Sequence, residues 1–399
     1  MNSCDRSSSL RISAAAIVAI SAIFGGARSS SAQGGCGVFG LRPNTLAQDI
    51  ADNDFVVLCR PVAGPNPAGG GVADGVEYLT FETTEIVKGA DLLARRMGTK
   101  APYRFSTWRH KQPPGVSTYL AFGLKDDEKL FQLGSAIPVN EREIDYVRRL
   151  QKFPAKGTER LVALLPDLGT ADELIAVDVQ QEIENLSFAE IRAAAAQLPV
   201  AKVRACLGDP KAKVQERRNA LRMLCACGTK DDLPLLRTLI ESREKDASAW
   251  RDLAVGCYLH HGGEEALAWI EQKYLLSVSD DYREAYGAIL GLRFVLAEAG
   301  GIPAERAVKT FRLLLDQPKL ADLIVPDLMR LQDWDSTPRL VKLFRDATTW
   351  HTEYVRVPVL LFLRRSPRDD AKTYLAELTK LDPEAARRAA MIDFVPNNP

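Results

Sequence analysis

Residues 220–233 read ALRMLCACGTKDDL, and residues 254–267 read AVGCYLHHGGEEAL. In both, an apolar run stops at glycine, Gly228 or Gly262-Gly263, and acidic residues follow. Glycine suits the left-handed position just past a helix end, and Asp or Glu suits the positive end of the next helix dipole. Each stretch therefore predicts one helix closing and a second opening. The same design recurs in 282–299 with 304–315, in 320–331 with 338–346, and in 354–364 with 370–381. The period is roughly 33–38 residues, that of helix-pair arrays such as HEAT and armadillo proteins. The spacing predicts a degenerate HEAT-like α-solenoid over 214–395.

Working back from the repeat, apolar residues recur at helical spacing in Ile144, Val147 and Leu150, and again in Leu174, Ile175, Val177 and Ile183. Residues 139–213 are expected to be a helical connector. Before 139 the character changes. Asp54 to Cys59 is a short β-branched apolar run, and Val76 to Val87 a longer strand whose alternation slips near Thr80, suggesting a bulge there. Residues 103–105, 118–122 and 130–133 extend the series. Pro61 to Gly71, Lys88-Gly89 and Pro113-Pro114-Gly115 punctuate it. Thr45 to Asp52 is the one helix expected in this part. The fold class predicted is multidomain α+β, with a small OB-like β-barrel at 33–138 followed by the α-helical HEAT-like solenoid.

The first 32 residues read as an export signal. Arg6 and Arg11 lie in a polar start, Ile12 to Phe24 is apolar, and Ser30-Ser31-Ala32 offers the small residues of a cleavage site. The apolar run falls short of the roughly 20 residues of a membrane span, so the mature chain is expected outside the cytoplasm, periplasmic or secreted, with no span of its own. Cys4 then leaves with the signal, and Cys36, Cys59, Cys206, Cys225, Cys227 and Cys257 remain. An even set in an oxidising compartment allows disulfides. Cys36 and Cys59 are the two in the N-terminal part and are expected to pair; the pairing of the other four stays open.

Lys and Arg total 52, as do Asp and Glu, so the formal net charge is zero. A general nucleic-acid binder would carry a basic excess. Gly35 to Gly40 spells G-x-G-x-x-G, but no strand precedes it, so no dinucleotide site is expected. Cys225 and Cys227 are two apart on a helix and face opposite ways. Cys257, His260 and His261 share a face at i, i+3 and i+4, half of a zinc site without its other half. Neither His-Glu-x-x-His nor Gly-x-Ser-x-Gly occurs. No catalytic residue, cofactor or metal ligand is assigned on these grounds. The best candidate contact site is Trp108-Arg109-His110-Lys111, an aromatic with three potential cations, expected in a loop before Pro113.

Cys36, the run Phe55-Val56-Val57-Leu58, the stretch Phe81 to Lys88-Gly89 and the run Tyr119-Leu120-Ala121-Phe122-Gly123 follow in an order that resembles the netrin-like or TIMP-like module, an OB-type barrel. Val177 to Gln180, Asp322-Leu323-Ile324 and Leu331 to Trp334 resemble stretches of uncharacterised exported bacterial proteins that join such a barrel to helical repeats. In tissue inhibitors of metalloproteinases the N-terminal Cys enters the protease's metal site; here Cys36 would lie three residues inside the expected start. The function expected is an exported, non-enzymatic scaffold that binds a protein partner. A protease inhibitor acting through the barrel, or a hydrolase with an unrecognised site, are the alternatives.

Overall fold

The computed structural model describes residues 44–62, 76–110, 117–125, 131–276, 282–317, 320–347 and 354–393. The expected signal at 1–32 and Cys36 lie outside these residues. The chain divides into two compact units, and the division falls between Leu314 and Leu315, inside the helical run.

In the larger unit, helix α1 (Leu46–Asp52) opens with a capping box, in which Thr45 Oγ1 accepts from Gln48 N and Gln48 Oε1 from Thr45 N. Strand β1 (Phe55–Pro61) follows, with Phe55 to Cys59 all buried. A strand covered on both faces reads as a continuous apolar run, as this one does. Strand β2 (Val76–Lys88) pairs antiparallel with β1. Its register slips opposite Val56/Val57 and Leu58/Cys59, so the bulges fall near Val87 and Thr84 rather than at Thr80. At Thr80 the ladder to β3 (Arg104–His110) is unbroken, and the hydroxyl there is satisfied by Ser106 Oγ at 2.9 Å. Lys88, at the end of β2, donates to the carbonyls of Ile50, Ala51 and Asn53 at 2.7–2.9 Å, placing a cation on the negative end of α1.

Gly89 follows with φ +84°, where an added Cβ would lie 2.5 Å from Asp54 O, so only glycine fits. It leads into α2 (Ala90–Met97), a helix the sequence reading passed over. Strands β4 (Tyr119–Lys125), β5 (Phe131–Leu133) and β6 (Ile137–Pro138) complete the sheet. The order is β3-β2-β1-β4-β5, with β6 paired to the Tyr119 end of β4.

This sheet is antiparallel and open, which corrects the expected barrel. Closure would need a ladder between β3 and β5, and among the described residues none forms. The three residues of β5 are taken up by β4. Across the gap, Thr107 Oγ1 donates to Gly134 O at 2.9 Å, a side-chain bond where a barrel would have backbone pairs. One face of the sheet buries Phe55, Val57, Cys59, Phe81, Tyr103, Tyr119 and Ala121. Gly123 lets the Phe55 ring lie against β4, since a Cβ there would stand 2.1 Å from Cζ.

Helices follow β6: α3 (Glu141–Leu150), α4 (Thr158–Leu164), α5 (Glu173–Glu184), α6 (Phe188–Ala193), α7 (Val200–Gly208), α8 (Val214–Cys227), α9 (Leu233–Ile240), α10 (Arg251–Ile270), α11 (Arg283–Phe294) and α12 (Ala304–Leu314). The change from strands to helices lies between Pro138 and Glu141, where the composition shift places it. Helix α10 is two helices joined at Gly263, whose φ of +63° and ψ of −145° break the spiral. Gly228 differs from its expected role: its φ is −76°, outside the left-handed region. The site needs glycine for room, because a Cβ would meet Leu224 O at 2.5 Å and His261 Nε2 at 3.1 Å. The smaller unit carries α13 (Ala321–Arg330), α14 (Thr337–Asp346), α15 (Arg356–Arg365), α16 (Asp369–Leu381) and α17 (Pro383–Asp393). There Trp334 opens the turn before α14 and packs 5.0 Å from the Phe362 ring. Among the described residues no helix is long and apolar enough to cross a membrane.

Sheet-side and helical segments of the larger unit meet at Asp178 on α5. It is 3 % exposed, and its carboxylate accepts from Leu46 N at the start of α1 and from Tyr146 OH on α3 at 2.7 Å. Burial, then the Asp178 charge, hold the Tyr146 phenol protonated far above its usual range. A second tie is exposed, with Arg148 on α3 bonding both carboxylate oxygens of Glu85 on β2. Replacing Asp178 with Ala strands a backbone N–H and a phenol in the interior, and charged hydrogen bonds are worth about 1.5–3 kcal/mol each. Asp178→Ala is expected to lower the unfolding free energy by about 2–4 kcal/mol in urea titration, and Tyr146→Phe by less. Equal stability of Asp178→Ala and the parent would contradict this role.

Candidate functional site

Three of the helices in the larger unit share a cleft of about 270 Å³. Arg218 comes from α8, Asp252 from the first turn of α10, and Arg283, Tyr286, Gly287 and Leu290 from α11; Ser248 and Ala249 close one side. These are the first helices of three consecutive predicted pairs, and each contributes residues from its N-terminal half. Arg218 is fixed by bonds to Ala249 O and Asp252 Oδ1, so its charge is held beside the cleft. Arg283 is exposed at the rim, while Tyr286 and Leu290 are half-buried. A Cβ added at Gly287 would lie 3.5 Å from Cγ of Arg251, an ordinary contact with that side chain's stem. Arg251 in turn donates to Ile240 O and Ser242 O, tying α10 to the end of α9.

Drug-sized ligands occupy pockets of about 300–1,000 Å³. A volume just below that range admits one or two side chains of a larger partner. The chemistry on offer is charge pairing at the arginines and apolar contact with Tyr286 and Leu290. The sequence reading missed this site, because its members fall in three groups, each 30 or more residues from the next, that meet only through helix packing.

The residues singled out from sequence are dispersed. Trp108, Arg109 and His110 lie on β3, paired with Tyr78, Glu77 and Val76, so this stretch is strand where a loop was expected. Strand pairing continues there because β2 runs long enough to partner it. Lys111 lies outside the described residues. The expected Cys36–Cys59 bridge involves a residue outside them too; Cys59 itself is unbridged, fully buried, and donates its thiol to Tyr119 O at 3.5 Å. Burial pushes that thiol up to about 12.

Cys257, His260 and His261 do not converge on one point, although the His260 and His261 rings pack with centroids 4.8 Å apart. His260 Nδ1 lies 3.1 Å from Gly300 O, and His261 Nε2 lies 3.2 Å from Leu224 O at the end of α8. Cys257 turns toward Cys225. Among the described residues no three His, Cys, Asp or Glu side chains converge as metal ligands. No known protein family, curated protein or solved structure matches the chain.

His261 carries a pH consequence. Burial lowers its pKa below the ordinary 6.5, outweighing the Leu224 carbonyl and Asp232, and His260 adds to the lowering. Above pH 6.5 the folded and unfolded chains both hold it neutral. Below that, the unfolded chain takes up the proton first, so stability falls as pH drops from 6.5 toward the folded value. The melting temperature is expected to fall between pH 7 and pH 5.5, and to fall less in His261→Gln, whose amide keeps a donor for Leu224 O. An identical pH slope in the two proteins would contradict this.

Proposed function

We propose that the chain is an exported, non-enzymatic binding protein, and that it holds a segment of a partner protein in the α8–α10–α11 cleft. In this reading the helix pairs of 214–395 are HEAT-like repeats, and the exported location follows from the 1–32 pattern. The observation that carries it is the cleft's construction from equivalent ends of three successive first helices. Stacked repeats expose such a continuous face, and repeat proteins commonly bind along it. The partner segment would bring a carboxylate to Arg218 and Arg283, and an apolar side chain to Tyr286 and Leu290.

The zero net charge fits local recognition better than long-range attraction to a polyanion. Asp178, Arg160 and the half-buried His261 are engaged in structural bonds.

A photocrosslinker placed at exposed Ser248 tests the reading. In the exported fraction it is expected to capture a discrete protein. Arg283→Glu combined with Tyr286→Ala is expected to reduce capture at least about tenfold, a loss of about 1.4 kcal/mol, with the melting temperature unchanged. Equal capture by the parent and the double variant would contradict the proposal.

A further inference from the structure

The cleft between α8, α10 and α11 holds an arginine that is fixed at one nitrogen and unspent at the others. A guanidinium has five N–H donors. In Arg218 the two on Nη1 are taken, one by Ala249 O and one by Asp252 Oδ1. Among the described residues its Nε and Nη2 have no partner, and its side chain is 32 % exposed. Other arginines of α8 are committed to structure: Arg217 bonds Glu244 and Asp209 O, and Arg222 bonds Ile183 O and Leu186 O. The Nε–Nη2 edge of a guanidinium is a fork that grips a carboxylate with two parallel bonds. Fixing Nη1 orders the long side chain in advance, so a ligand is spared part of that entropy cost. Tyr286 lines the same cleft half-buried, and its hydroxyl has no hydrogen bond among the described residues. Leu290 lies one turn further along α11.

We propose that the occupant of this cleft is the free C-terminus of the partner chain, ending in an apolar residue. The proposal rests on the reading that a partner segment fills the cleft, and names which segment. A last residue carries its carboxylate and its side chain on one Cα. It therefore supplies both things the cleft can bind: a carboxylate for Arg218 and the Tyr286 hydroxyl, and an apolar group for Leu290 and the Tyr286 ring. An internal Asp or Glu spends its side chain on the carboxylate and brings no apolar group. The volume of about 270 Å³ is small, and Ser248 and Ala249 close one side. A chain end needs one entrance, whereas a chain running through needs an exit as well. Capture of a terminal carboxylate is a recurrent mode of peptide recognition. Asp252 adds direction, because its charge beside Nη1 repels an acid there and leaves the free edge as the place for one.

The test measures binding of the full chain to two matched sets of random hexapeptides, one ending in a free carboxylate and one amidated. Binding is expected to free-acid peptides that end in Leu, Ile, Met or Phe. Amidation of the tightest of these is expected to weaken it at least about tenfold, the loss of a charged hydrogen bond. Arg218→Lys keeps a charge without the fork and is expected to erase most of the difference between acid and amide. Tyr286→Phe removes only a hydroxyl, and so tests the site even if loss of the Arg218 bonds loosens the helices. It is expected to weaken the free acid about three- to tenfold, and the amide less. Equal binding of acid and amide, binding of no free-acid peptide, or an unchanged acid preference in both variants would overturn the proposal. The photocrosslinker at Ser248 separates this from the reading beneath it. A crosslink to the last peptide of the captured partner is expected. A crosslink to an internal peptide would overturn the C-terminus and leave the cleft as a binding site, whereas no capture would strike the binding reading itself.

Discussion

The carboxylate of Asp178 is the point on which the larger unit turns. One oxygen receives the first amide of α1 and the other the phenol of Tyr146, so a single buried side chain joins the entry to the sheet with two helices beyond it. An amide at a helix start has no partner within its own helix. Buried without one, it would cost the unit a full desolvation penalty. The capping box at Thr45 satisfies its neighbours, and Lys88 satisfies the carbonyls at the other end of α1. A seven-residue helix, too short to stand alone, is thereby held at both ends by charge from distant parts of the chain.

The same solution recurs with the sign reversed. Arg160 is buried and paired with Glu182, and also donates to Pro154 O. Arg217 is buried, pairs with Glu244 and lies 4.6 Å over the Trp250 ring. Arg222 donates to Ile183 O and Leu186 O past the end of α5. In the smaller unit Arg356 pairs with Asp382 and reaches Ala347 O. Guanidinium groups suit this work because several donors leave one planar charge, so a single residue can close a helix end and an ion pair together. The balance of 52 cations against 52 anions reflects many local pairs of this kind rather than a neutral, featureless surface.

What the sequence disclosed was governed by local rules. The buried run at β1, the strand-to-helix change near residue 139, and the helices of 282–299, 304–315, 320–331, 338–346, 354–364 and 370–381 all follow from periodicity and breakers, which act over a few residues. What stayed hidden depends on tertiary proximity. Helix α2 is brief, and Leu93 is its one buried residue, so few positions marked it. Barrel closure turned on the length of β5, and the need for glycine at 228 on how closely Leu224 O, Asp232 and His261 approach. The cleft was invisible because Arg218, Asp252 and Tyr286 belong to three helices. Asp178 sits amid ordinary helix residues, and nothing within α5 marks it as a junction.

If Asp178 makes the sheet and its helices one cooperative body, the Leu46 amide must be released only when that body opens. Native-state hydrogen exchange measures this directly. The account predicts that the Leu46 amide is protected to the same free energy as Val57 in β1 and Ile183 in α5, and loses that protection together with them as denaturant is added. Exchange at Leu46 a hundredfold or more faster than at those two amides, about 2.7 kcal/mol less protection, would show α1 fraying on its own and contradict the account.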